Sequence, residues 1–219
     1  LDAQNVNAVS VGSGGKKLGL FGRFVKRVMD KLYSPVKVPE YGVLSLRKVP
    51  DLFTEGEPVI VTEKIHGSQI RFGKVNGRIY LGSHHVEKLD SRPWLLRKLF
   101  PRRISGGYYG SNVWATWFNR VFYSKNRLAE LPNNIVFYGE LFGKGIQPWT
   151  YGLSDTQVLV FDAYDTKQKR WLDSVEISQL LPPFIDTVPS CVVGIPFNKE
   201  LVKKIAESPT LVKDRCGFL

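Results

Sequence analysis

Residues 59–73 read VIVTEKIHGSQIRFG, and what this stretch becomes decides the fold. Val59, Ile60 and Val61 are apolar and β-branched, the composition of a buried strand. Apolar alternation resumes at Ile70 and Phe72, so a second strand follows a short break. In the break stand Glu63, Lys64, Ile65, His66 and Gly67. A lysine at the mouth of a core is expected to be partly desolvated, which disfavours its ammonium form and frees a nucleophilic amine. Gly67 would let backbone and ligand approach closely, where a side chain would intrude. The plainer alternative is a lysine at a strand end whose stem snorkels to solvent. K-x-x-G by itself does not choose between them. It recurs at Lys16–Gly19 and Lys74–Gly77, and only the copy at Lys64 lies between two buried strands.

Outward from this stretch, short strands and turns dominate. Asn76-Gly77 supplies the positive φ angles of a hairpin between Arg71–Lys74 and Arg78–Leu81. Asn134–Leu141 and Thr156–Ala163 read as buried strands. Helices are expected at Trp94–Leu99, Ser174–Leu181 and Lys199–Glu207. Asp173 with Glu176 makes a capping box for the second, and Asn198 caps the third. The pattern is α+β and rich in hairpins, not alternating βαβ. Residues 1–35 form a flexible, glycine-rich start followed by a basic amphipathic helix, in which Leu20, Phe21, Phe24, Val25, Val28, Met29 and Leu32 recur at helical spacing. Residues 36–219 are expected to form the main domain. The GSGGKK string at 12–17 fails the P-loop pattern, because no Ser or Thr follows its lysines.

Composition narrows the function. The 219 residues are 43% hydrophobic and 12% aromatic, enough for a packed core. The formal net charge of +11 favours a polyanionic partner, either nucleic acid or an acidic membrane surface. Cys191 and Cys216 give neither metal spacing nor a disulfide framework, which suits a reducing compartment such as the cytoplasm. No apolar run approaches the roughly 20 residues that span a bilayer. No secretory signal pattern opens the chain, and because its first residue is Leu1 and not Met, a trimmed N-terminus is expected.

Two downstream segments join Lys64. Gly139-Glu140-Leu141-Phe142-Gly143 delivers a carboxylate on a strand before a glycine turn. Tyr151-Gly152 is followed by Phe161-Asp162. With Glu63-Lys64-Ile65-His66-Gly67 they make an ordered set, and over roughly residues 36–170 the chain resembles the RNA ligase 2-like family of ATP-dependent RNA ligases, within the covalent nucleotidyltransferases. The resemblance implies an adenylation domain of antiparallel sheets with flanking helices, holding AMP between the sheets. It implies that Lys64 attacks the α-phosphate of ATP and carries AMP as a phosphoramidate. Glu140 would reach the ribose and Phe161 would stack on adenine. Glu63 and Ile65 would line the purine site, with Gly67 allowing close approach. Family members use a divalent metal, usually Mg2+, and Glu140 is a candidate contributor. His84, in Gly82-Ser83-His84-His85, stands where the family commonly has an arginine touching sugar or phosphate.

The implied reaction joins a 5′-phosphate to a 3′-hydroxyl, with RNA as expected partner and a monomer as expected state. A DNA ligase or mRNA guanylyltransferase remains open within the class. The family's distal Glu-Gly-Val-Val-type and Lys-x-Lys strands are not found, so a domain truncated at its C-terminal end is expected, with its activity in question. A non-catalytic nucleic-acid-binding module of the same fold stays open on that ground. For the polynucleotide itself, Arg92, Arg97, Lys98, Arg102 and Arg103 offer phosphate contacts, and Trp94, Phe100, Tyr108, Tyr109, Trp114 and Trp117 offer rings for unpaired bases. The competing reading makes those aromatics core and the arginines solvated. Phosphate contact would bring salt dependence without sequence preference.

Overall fold

A computed structural model describes residues 37–90 and 109–212, together with Gly19, Arg27 and Lys98. The chain divides after Pro35 into two units, and both sheets belong to the second, Val36–Leu219. The expected basic helix near residues 20–32, the helix at Trp94–Leu99 and the side chains of Arg92, Arg97, Phe100, Arg102, Arg103 and Tyr108 lie outside the described residues.

Strand β1, Pro58–Thr62, pairs antiparallel with β8, Ser190–Pro196, in a two-stranded sheet. The larger sheet is built from β2 (Ser68–Val75), β3 (Arg78–Gly82), β4 (Ile135–Gly143), β5 (Thr156–Asp165) and β6 (Arg170–Trp171), in the order β3-β2-β4-β5-β6. These neighbours are all antiparallel, while β7, Asp186–Thr187, adds to β5 in parallel. The hairpin forms as expected: Asn76 (φ 50°) and Gly77 (φ 75°) make the two-residue turn. Asn134 and Asn133 side-chain oxygens accept the turn's two amides at 3.0 and 2.9 Å.

Alternation gives the large sheet two unlike faces. Ile70, Phe72, Phe137, Leu141, Val160 and Ala163 face one way and meet Trp114, Trp117, Phe118 and Phe122, all buried. Those four come from helix α1, Val113–Phe118, and the π-turn Asn119–Tyr123 after it. Trp114 (4% exposed) and Trp117 (3%) are therefore core, which corrects their reading as free stacking platforms. Tyr109, partly buried, packs edge-on against Trp114. The other face carries Arg71, Tyr80, Tyr138, Glu140 and Phe161, and residues 38–41 cross it as a strap, Val38 and Tyr41 packing there.

Strand β1 corrects a second expectation. It is not buried: Ile60 is 51% exposed and only alternate residues are half-covered. β-Branched residues suit any pleated surface, and burial is decided by the neighbours. Here, among the described residues, the single partner is β8, in a sheet of its own.

The capping box forms at helix α2, Ser174–Leu180: Asp173 accepts from Val175 and Glu176 amides at 2.9 Å, and Glu176 accepts from the Asp173 amide at 3.0 Å. Arg170 also donates to Glu176 at 2.8 Å. Asn198 caps helix α3, Lys199–Ala206, through the Leu201 amide. Asp173→Ala should lower stability by about 1 kcal/mol, read from the shift of the urea midpoint.

Candidate active site

The loop Glu63–Gly67 joins the small sheet to the large one and is held on both sides of Lys64. The Glu63 amide donates to the Pro189 carbonyl at 2.9 Å, and its carboxylate accepts from the Leu211 amide at 2.8 Å and from the Thr210 hydroxyl. Ile65 is buried among Phe142, Leu153, Leu159, Val188 and Val212. The His66 amide donates to the Tyr151 hydroxyl at 2.8 Å, and the Gly67 carbonyl accepts from Gln147 at 3.3 Å. Lys64 itself is exposed, so the desolvation expected of it is not found. The reason is topological. β1 is half exposed, and the side chain that the loop buries is Ile65, next to the lysine.

Lys64 nevertheless acts on Glu140. Burial in β4 outweighs the Lys64 charge and a hydrogen bond from the Gly67 amide, and holds the Glu140 carboxyl up at about 7. The fold gives a reason of its own for Gly67. A Cβ there would lie 2.3 Å from the Leu141 carbonyl oxygen and 3.0 Å from Glu140 Cγ. The glycine lets the loop lie down on β4.

A side chain titrating higher in the folded chain than in the unfolded one binds its proton more tightly when folded. Stability from Glu140 is thus full below about pH 4.5 and is lost as pH rises through about 7. Partial solvent access reduces the effect to about 1–3 kcal/mol. Glu140→Gln should flatten that part of the stability profile, measured by urea unfolding across the window.

Phe161 owes its direction to a bulge. Tyr138 pairs with Asp162 and Gly139 with Val160, which leaves Phe161 as the extra residue of β5. Val160 and Ala163 both face the helix side, so Phe161 and Asp162 both turn to the Glu140 face. Tyr41 lies on Phe161, with ring centroids 4.8 Å apart, and its hydroxyl bonds to Asp162. Burial, then the Asp162 charge, pushes the Tyr41 hydroxyl up to about 12.

Gln69 and Arg71, which no sequence motif singled out, stand on this face opposite Glu140 and Tyr138. Arg71 is only 4% exposed and donates to the Ser83 carbonyl at 2.8 Å and the Pro39 carbonyl at 3.4 Å. Tyr138 also donates to Pro39, at 2.7 Å. Alternation with Ile70 and Phe72 reads these polar residues as a solvent face. The strap that meets Arg71 lies 32 residues upstream, and no local pattern reports it.

His84 meets the Gln69 side-chain oxygen through Nδ1. Its ring is held below the ordinary imidazole value, first by burial and then by His85. The Gln69 side-chain nitrogen is buried without a hydrogen-bond partner. Trp149, 70% exposed, has its ring 6.1 Å from His66 beside the lysine loop. Among the basic insert residues Lys98 is described, and it is exposed.

The site thus sets the loop that carries Lys64 beside Glu140, on the face of the antiparallel sheet where Phe161 stands, with Ile65 and Gly67 seating that loop. This is the fold of the RNA ligase nucleotidyltransferases. Residues 57–216 match the RNA ligase family, and the chain belongs to it. Among solved structures it is similar to Naegleria gruberi RNA ligase. A glutamate-to-alanine mutant of that enzyme with ATP and Mn matches at TM-score 0.61 and 17% identity, over 82% of this chain and 51% of that one. A lysine-to-alanine mutant with ATP and Mn matches at TM-score 0.56 and 20% identity, over 73% and 44%. An aspartate-to-alanine mutant without ligand matches at 0.57 and 20%, over 82% and 49%. The chain spans about half the length of these structures. No curated protein matches it. Among the described residues, no helix is long and apolar enough to cross a membrane.

Proposed function

We propose that this chain is the nucleotide-transferring part of an ATP-dependent RNA ligase that works through a lysyl-AMP intermediate. The observation that carries the reading is geometric: the loop bearing Lys64 lies down on β4 beside Glu140, on the face where Phe161 is turned out by a bulge. In the first step Lys64 Nζ, deprotonated, attacks the α-phosphorus of ATP. A P–N bond forms, the bond to the β-phosphate breaks, and pyrophosphate leaves. In the second, a 5′-phosphate oxygen takes AMP from the lysine. In the third, a 3′-hydroxyl attacks that activated phosphate and AMP departs.

Each side chain has a defined task. Glu140 accepts from a ribose hydroxyl. Phe161 offers its ring to the base, worth about 1–3 kcal/mol, and Tyr41 must shift for the ring to be fully available. Ile65 and the Glu63 backbone border the base. His84 and the Gln69 side-chain nitrogen, which has no hydrogen-bond partner among the described residues, are polar groups for sugar or phosphate. One partly exposed carboxylate fits Mg2+, which keeps several waters and takes one or two carboxylates beside substrate phosphates. When bound, the metal neutralises triphosphate charge, and Glu140 is the residue here that would hold it. The arginines and lysines of the insert at 91–107 would meet the polynucleotide backbone.

The test supplies ATP or GTP labelled on the α-phosphate, with Mg2+ or Mn2+, and denatures the protein before counting. Label from ATP and not GTP is expected, and so is its release on adding 5′-phosphorylated RNA strands. Label from GTP alone would indicate a guanylyltransferase. No label from either nucleotide would favour the binding-module reading.

A further inference from the structure

The nucleotide site gives no role to Glu40 or His85, which stand with His84, a residue it does use, in one cluster. Glu40, His84 and His85 each bring one ligating atom within 4.8 Å of the other two, and among the described residues they are the one such group of three able to hold a metal ion. The His85 Nδ1 stands 3.0 Å from Glu40 Oε1. The two imidazole rings lie 4.0 Å apart at 85°. Donor atoms in a tetrahedral zinc site stand about 3.4 Å apart, so a modest opening of the Glu40–His85 pair admits the ion.

A second feature points the same way. Metal-ligating histidines hold their other ring nitrogen on an oxygen acceptor, which sets the tautomer and the ring's aim. His84 has that arrangement: Nδ1 meets the Gln69 side-chain oxygen, and the tautomer that donates there presents a lone pair at Nε2. Gln69 is in turn fixed in β2 opposite Glu140.

We propose that Glu40, His84 and His85 form a binding site for a divalent transition metal of the zinc class, distinct from the magnesium taken with the nucleotide. Two imidazoles and one carboxylate are borderline donors that favour zinc, copper or nickel over magnesium or calcium. Glu40 lies in the strap, whereas His84 and His85 follow β3, so the ion would tie the strap to the sheet. Its neighbours Pro39 and Tyr41 already rest on the site face, Pro39 as acceptor for Tyr138 and Arg71, Tyr41 on Phe161. Metal loading would therefore hold Tyr41 over the ring that the base needs.

The experiment uses the whole chain, stripped with chelator, without nucleotide. Zinc is titrated at neutral pH with isothermal calorimetry, cobalt absorption reports the coordination geometry, and hydrogen exchange is followed over residues 38–41. One zinc per chain, a tetrahedral cobalt spectrum and slowed exchange in the strap are expected. Glu40→Gln and His85→Ala should each weaken zinc binding about tenfold or more. Both residues are exposed, so these variants should fold, and unchanged thermal melting without metal checks that they do. Magnesium at the same concentration should not compete. Zinc binding that survives both substitutions, the lack of stoichiometric binding, or zinc bound without slowed exchange over 38–41 would each overturn the proposal. None of these readouts depends on ATP or ligation, so failure here leaves the ligase reading untouched.

Discussion

Lys64→Ala is expected to abolish retention of α-phosphate label on the denatured chain, while shifting stability by no more than about 0.5 kcal/mol. The two parts of this prediction belong together. Lys64 is exposed and the loop around it is held by other residues: Glu63 by Pro189, Thr210 and Leu211, His66 by Tyr151, Gly67 by Gln147. Removing the amine thus leaves its platform in place, and lost labelling would report lost chemistry and not lost fold. Lys64→Arg should fail as completely, because a guanidinium is not deprotonated in proteins and cannot serve as the nucleophile. Label that persists at parental levels in Lys64→Ala would put the nucleotide on another residue and end the lysyl-AMP reading.

Gly67→Ala should cost more stability than any other substitution at the site, about 2–4 kcal/mol. The φ of Gly67 is not among the positive ones, so an added methyl meets a contact problem and not a conformational one. The new Cβ would stand 2.3 Å from a backbone oxygen of β4, which cannot rotate away as a side chain could. Relief requires parting the loop from β4 where Ser68 pairs with Leu141, and that withdraws the Gly67 amide from Glu140. Nucleotide affinity should fall with stability. Urea unfolding measures the first and equilibrium ATP binding the second. A cost below about 0.5 kcal/mol would mean that the loop yields freely and that close approach to β4 is not why glycine stands there.

Much of the main sheet was legible from the chain. The Asn-Gly hairpin, the strands near 134–141 and 156–163, the capping box at Asp173 and the Asn198 cap are local devices, and each formed close to its expected place. Local signals failed where a distant segment decides the environment. Val59–Val61 has the composition of a core strand, yet its partner is β8, more than a hundred residues away, and among the described residues the strand stays half exposed. Trp114 and Trp117 follow a basic stretch and invite a nucleic-acid role, but the apolar face of the sheet takes them in.

The candidate site divides along the same line. Sequence alone determined which residue types exist and in what order: a lysine after a strand, a carboxylate before a glycine turn, an aromatic before an acid. Those follow from covalent neighbours and from the period of two along a strand. Tertiary structure decided how they are used. It left Lys64 in solvent, buried Glu140 enough to raise its proton affinity, turned Phe161 outward through one unpaired residue, and laid residues 38–41 over Arg71 and Phe161. Solvation and register depend on which strands and straps meet, and contacts between residues far apart in the chain carry no local signature.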